Sequence, residues 1–291
     1  MHFSGAKLLK FKEEKVNNKD PANRQNNMDT LVKFSDERQC HSILKRLNEF
    51  RQNKDFCDLT LEVEDGSFAC HKSVLIGASD YFQGMFSSKM KESKSTEISL
   101  PFLKADIMEL ILQFMYIGCA SFVIPDSDSF EAGSMKQRNS HAQLDKVQRL
   151  LGAADMFQLD TLKSKCELYI VPKVDSTNCL QLYSFADMYS LNILKGKCRE
   201  VKMEKFEGVV DSDDFLQLDV DALVDYISDS CIEVQFEDAV FKAVKKWYDY
   251  SRNMRAPLMQ QVCFGILIKN KKKNINKRFS HECCNKLENY V

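Results

Sequence analysis

No apolar run in this chain approaches the roughly 18 residues that a membrane-spanning helix needs, so none is expected. The N-terminal MHFSGAKLLKFKEEKVNNKD lacks an apolar core of the secretory kind, which argues against a signal peptide. Neither sign of charge is in excess. Lys and Arg number 41 against 42 Asp and Glu, a net charge of −1, which argues against a general nucleic-acid or membrane-surface binder. CxxC is absent, as are the GxxxxGKS/T phosphate loop, the GxSxG elbow and the HExxH zinc motif. With them go the commonest routes to nucleotide, acyl-transfer and metallopeptidase chemistry, and nothing left supports an enzyme. The eleven cysteines are odd in number and scattered, several among apolar residues in the manner of buried thiols. They predict a reducing, intracellular setting without a disulfide frame.

What is present is organised around Phe56–Phe86. Leu59, Leu61 and Val63 alternate with polar residues, as a half-buried strand does. Asp65-Gly66 then predicts a hairpin with a type I′ turn, whose central residues both need positive φ. Phe68 and Cys70 resume the alternation. After His71-Lys72 the period becomes helical, with Val74, Leu75 and Ala78 on one face. A second helix is expected from Ser79, a good N-cap, carrying Tyr81, Phe82, Met85 and Phe86.

In chain order, residues 1–34 are polar and predict a flexible leader. A first, mixed unit spans 35–172. It opens with an amphipathic helix between Asp36 and Arg51, whose stripe of Ile43, Leu44, Leu47 and Phe50 must pack on the nucleus or on a second copy of the chain. Ile98–Leu100 reads as a third strand. Ile107, Met108, Ile111, Leu112, Met115 and Tyr116 make a helix that Gly118 should end. Residues 119–142 read as a long loop, and helical patterns return at Leu144–Phe157 and Leu162–Ile170. Beyond a boundary near Pro172–Ser176, residues 173–268 read as helices only. Residues 269–291 form a basic, polar tail.

Candidate chemistry is sparse. His71 has no second Cys/His pair at ligand spacing and reads as a structural histidine at the strand-to-helix junction. Asp58 and Lys72 flank the hairpin and read as a partner-facing charged pair rather than a catalytic one. His281-Glu282-Cys283-Cys284, with Cys263 upstream, lacks zinc spacing, so no metal and no cofactor are expected. Lys271–Lys273 with Lys277-Arg278 reads as a solvated tail, with a nuclear-localisation patch as the alternative.

Taken together, Asp58-Leu59-Thr60-Leu61-Glu62-Val63, Phe68, His71-Lys72, Val74-Leu75, Ser79, Tyr81-Phe82 and Met85-Phe86 resemble the BTB/POZ domain. The likeness continues through Ile98-Ser99-Leu100, Phe114–Gly118 and Leu151–Leu159. The second unit resembles a BACK domain at Asn178-Cys179-Leu180, Phe185-Ala186-Asp187, Asp214–Leu218 and Val240–Trp247. The implied fold is an α+β BTB/POZ domain, a small sheet flanked by helices, followed by an all-α BACK domain. That order is the front half of kelch-like proteins, and the resemblance covers roughly 36–265.

The resemblance implies a cytoplasmic, or also nuclear, non-enzymatic adaptor of a cullin-3 RING ubiquitin ligase with an unknown substrate. It would dimerise, with itself or another BTB protein, through Ile43, Leu44, Leu47 and Phe50. Met90-Lys91-Glu92 matches the family's hydrophobic-x-Glu cullin-contacting motif, and Tyr116 falls where the family's last BTB helices also touch the cullin. Three features depart from the pattern: the long 119–142 segment, Phe236 where a Ser or Thr cap is usual, and the absence of any 50-residue Gly-Gly kelch repeat. That last departure supports an alternative, a short scaffold that dimerises with full-length kelch-like proteins or organises cytoskeletal components. A transcriptional role would need a DNA-binding domain, and the sequence shows none.

Overall fold

The computed structural model describes residues 38–87, 94–123, 134–229 and 239–262, with residues 36 and 232 and two short strands, at 12–15 and 30–33. Strands β1 (Lys12–Lys15) and β2 (Thr30–Lys33) form an antiparallel ribbon that sets Glu13 opposite Val32 and Glu14 opposite Leu31. This falls inside the expected flexible leader. The polar composition there hides a strand-forming Thr-Leu-Val core in β2.

Helix α1 (Arg38–Asn53) precedes the central hairpin of β3 (Leu59–Val63) and β4 (Gly66–Cys70). Two short helices follow, α2 (Lys72–Ala78) and α3 (Asp80–Ser87). Strand β5 (Glu97–Leu100) then joins β3 in parallel, which gives the sheet order β4-β3-β5. The period-2 reading of β3 holds, because Leu59, Leu61 and Val63 are all buried while Thr60 and Glu62 lie half-exposed between them.

The hairpin turn is not the one the Asp-Gly dipeptide suggests. Val63 pairs with Gly66, so Glu64 and Asp65 are the loop residues, and neither Asp65 nor Gly66 has positive φ. Long-range bonds set this turn instead. The Glu64 N–H donates to the Leu103 carbonyl at 2.9 Å, and Asp65 Oδ1 accepts from the Ala105 N–H at 2.6 Å. Asp65 thereby satisfies the first N–H of helix α4 (Ala105–Ile117), one of the orphan donors at every helix start. Gly66 is needed for room rather than for φ, since a Cβ there would lie 3.3 Å from the Ala105 Cβ. Helix α4 ends as expected at Gly118, in the left-handed conformation with φ 67°.

Helix α5 (Ser134–Met156) starts within the segment read as a loop through residue 142. Its first turns are polar, so no apolar period announces them. Residues 124–133 lie outside the described residues. Helix α6 (Asp160–Ile170) completes the first unit. Ser79 caps α3 as expected, its Oγ accepting from the Phe82 N–H, and it also donates to the Phe157 carbonyl at 2.7 Å. The Phe82 ring stacks on Phe157, centroids 5.2 Å apart, and on Phe86, so the end of α5 is welded to α3.

The second unit contains α7 (Cys179–Met188), α8 (Asn192–Glu204), α9 (Phe206–Val210) and α10 (Asp213–Leu216). Then come α11 (Val220–Ile227), α12 (Ala239–Tyr250) and α13 (Arg252–Arg255). Phe206, Phe215, Tyr226 and Trp247 are almost wholly buried and centre its core. Helix α7 is a shared wall. Leu182 and Ala186 belong to the first core, together with Leu191, Leu194 and Cys198, whereas Cys179 and Leu180 belong to the second. The packing division therefore falls later in the chain than Pro172–Ser176. Glu167 of α6 fastens it: its buried Oε1 accepts the N–H groups of Ile193 and Leu194, at 3.0 and 2.9 Å, capping α8 from outside.

Replacing Glu167 by Ala leaves two helix-start donors without their acceptor and should cost about 1–3 kcal/mol. Glu167→Gln keeps a carbonyl acceptor there and should recover part of the loss. Urea unfolding of the three proteins checks the ranking.

Candidate functional site: the face around α1 and the hairpin

Helix α1 presents two different faces. Its buried residues are Asn48 and Arg51, both polar. Leu47 packs partly buried against the first core and Phe50 is half-buried, meeting Phe56 edge-on at 5.1 Å. Ile43 and Leu44 remain 50% and 36% exposed. The apolar stripe expected to act as one surface is thus divided. Leu47 and Phe50 turn toward this chain, and Ile43 and Leu44 leave a large part of their surface open to solvent.

A polar network accounts for the division. The Arg51 guanidinium, 3% exposed, donates two parallel bonds to Glu109 of α4, Nη1 to Oε2 at 3.0 Å and Nη2 to Oε1 at 2.8 Å. Its Nε donates to Asn48 Oδ1 at 3.1 Å. The same guanidinium lies 5.6 Å from the centroid of the Tyr116 ring. Tyr116 is fully buried, and its hydroxyl accepts the His71 N–H at 2.9 Å. It also meets His71 Nδ1 at 2.8 Å. The proton arrangement that satisfies all these groups has the phenol donating to Nδ1, which leaves the His71 proton on Nε2, 3.9 Å from Cys57 Sγ. Burial raises the Tyr116 phenol well above its ordinary range.

His71 is therefore a structural histidine, as its lack of ligand partners suggested. Tyr116 is not a surface residue. Expected to touch a partner, it is wholly enclosed, because its ring fills the space under Arg51 and its hydroxyl is occupied by His71. Asp58 and Lys72 are joined, but not as a charged pair. Asp58 Oδ1 accepts the Lys72 backbone N–H at 2.8 Å and caps α2, while the Lys72 ammonium sits 5.3 Å from the Phe86 ring centroid. Both aspartates flanking the hairpin, Asp58 and Asp65, thus serve as helix caps in trans.

Met90, Lys91 and Glu92 lie outside the described residues, just beyond the end of α3 at Ser87. The Cys263 and His281–Cys284 cluster, the basic residues near 271–278 and Phe236 lie outside them as well. Among the described residues, the thiols of Cys70, Cys166, Cys179 and Cys198 are buried, and burial lifts each of them, Cys70 and Cys198 to about 12. Cys57, half-buried, is raised by the same cause, so its contact with His71 does not make it a thiolate. Sequence reasoning missed Arg51, Glu109 and Asn48. The visible signal was an Arg on the inward side of an amphipathic helix, with a Glu among the apolar residues of α4.

Tyr116→Phe should cost about 1–3 kcal/mol by removing the one hydroxyl that meets both the backbone N–H and the ring of buried His71. Because the packing of the ring is kept, the fold survives, and thermal denaturation by circular dichroism reads the loss.

Comparison with known proteins places these elements. The BTB/POZ domain model matches residues 47–174, and the model for the BACK domain (BTB and C-terminal kelch) matches 179–269. The chain is 31% identical to human Kelch-like protein 24 over 221 residues, 76% of this chain and 34% of that protein. It is 31% identical to Kelch repeat and BTB domain-containing protein 2 of Pongo abelii, over 80% of this chain and 35% of that one. Mouse Kelch-like protein 7 is likewise 31% identical, over 77% of this chain and 36% of its own. The chain spans about a third of the length of the curated relatives it matches. No described helix is long and apolar enough to cross a membrane. With its three-stranded sheet and flanking helices followed by a helical unit, the chain belongs to the BTB–BACK family of kelch-like proteins.

Proposed function

We propose that this chain is a non-enzymatic, dimeric adaptor that docks on cullin-3 through its BTB domain and brings a substrate to an associated RING ubiquitin ligase. The observation that carries the reading is a BTB unit followed by a BACK unit, in a chain related across both to kelch-like proteins. Two features support it. Ile43 and Leu44 stand open on α1, the helix through which such domains pair, while Arg51 anchors the other side of that helix to α4. A rigidly held helix with an exposed apolar edge suits a self-complementary contact, in which the same patch meets its own copy. The motif Met90-Lys91-Glu92 follows α3, whose position is secured by the stack of Phe82 on Phe157. An apolar anchor with adjoining charge is the usual composition of an interface hot spot.

Two experiments test the parts separately. Met90→Ala with Glu92→Ala should abolish co-purification of cullin-3 and leave the dimer intact. Undiminished cullin-3 recovery would refute the assignment of those residues. Leu44→Asp should convert the dimer to monomer in light scattering after gel filtration, because it places a charge in a desolvated apolar contact. A dimer that persists would point to a different pairing face.

A further inference from the structure

Away from the BTB face, a cleft of about 430 Å³ opens within the BACK unit between α7, α8 and α11. Its apolar surface comes from Leu180, Met203, Leu218 and Ala222, and the rings of Tyr183 and Tyr226 form its aromatic walls. Between those rings stands Lys202. Its Nζ lies 4.8 Å from the Tyr183 centroid and 4.6 Å from that of Tyr226. Among the described residues, no carboxylate comes within 4 Å of it, whereas the other cation of the cleft, Arg199, is bonded to Asp229 at 3.2 Å. Tyr226 is fixed, since its hydroxyl donates to the Lys202 carbonyl at 2.7 Å.

The electrostatic setting weakens the hold of this amine on its proton. Burial is the main influence on Lys202 and pulls its titration below the ordinary lysine range, with the Arg199 charge acting in the same direction. Asp229 opposes that shift but is shared with Arg199. Cys179 and Cys198 would oppose it only as thiolates, and burial lifts their titration to about 11 and about 12, so both are neutral at physiological pH. The formal charges lining the cleft, Lys202 and Arg199 against Asp225 and Asp229, cancel. An uncharged ligand suits such a cleft better than an anion does.

We propose that this cleft captures small, planar, neutral aldehydes covalently, with Lys202 Nζ as the nucleophile. The unprotonated amine adds to the aldehyde carbon, and the carbinolamine then loses water. A C=N bond replaces the C=O bond, the oxygen leaves as water with both amine protons, and no oxidant or reductant is consumed. Protonation of the imine restores a cation between the two tyrosine rings, where the ammonium was held before. The apolar floor offers the ring of the aldehyde a surface to cover.

The test treats the full chain with benzaldehyde in the presence of cyanoborohydride, which traps the imine, and locates adducts by peptide mass spectrometry. Near neutral pH, Lys202 should be labelled several-fold faster than the exposed Lys205 and Lys54. Benzamide, similar in shape but unreactive toward amines, should slow labelling of Lys202 alone. Ala222→Phe, which fills the cleft, should do the same without lowering the melting temperature. Labelling of Lys202 no faster than of Lys205 overturns the proposal. So does a fast reaction that neither benzamide nor Ala222→Phe slows, because reactivity would then owe nothing to the cleft.

Discussion

The buried phenol of Tyr116 is the point on which the BTB unit turns. Its hydroxyl binds the backbone and ring of His71, where β4 becomes α2, and its ring lies against the guanidinium that joins α1 to α4. Three parts of the chain, distant in sequence, therefore share one anchor. A guanidinium that is 3% exposed is tolerated because each of its three nitrogens is bonded, to Glu109 or Asn48, and an aromatic ring lies beside it. Loss of any partner leaves a buried polar group unsatisfied, which costs more than the bond contributed.

This anchor determines what α1 can offer to a partner. With Arg51 and Asn48 turned inward, Ile43 and Leu44 are left outside, on a helix that cannot roll to hide them. The hairpin is held from both ends in the same manner. Asp58 and Asp65 cap α2 and α4, so the strands, the helices and the turn are positioned by carboxylates that a surface reading assigns to solvent or to a partner. Glu167, on the last helix of the first unit, repeats the device as a buried carboxylate at the start of α8. Acceptors supplied from another element rather than from the helix's own N-cap are thus a recurrent feature of this fold.

Local pattern revealed most of the architecture. The alternation of Leu59, Leu61 and Val63, the cap at Ser79 and the left-handed Gly118 all depend on neighbours within a few residues, and all occur where the pattern placed them. The failures lie where local pattern is overruled or silent. Asp65-Gly66 suggests one turn, but Leu103 and Ala105, far along the chain, impose another. The first turns of α5 carry no apolar period, so periodicity could not reveal them. At the candidate site, the openness of Ile43 and Leu44 fits the amphipathic reading of α1. The enclosure of Tyr116 was illegible, because an apolar stripe does not say which of its members reaches the surface.

The sequence by itself determined the family, the order of a small mixed unit and a helical one, and most of the strands and helices, because these follow from period, capping residues and motif spacing. Only the tertiary structure decided the roles of individual side chains. It made Asp58 and Asp65 helix caps, Tyr116 an internal anchor and Lys202 the wall of a cleft. The physical reason is the same for each. A polar group's role depends on which distant donor, acceptor or ring it meets, and on how much water is left around it, and both are properties of the folded chain.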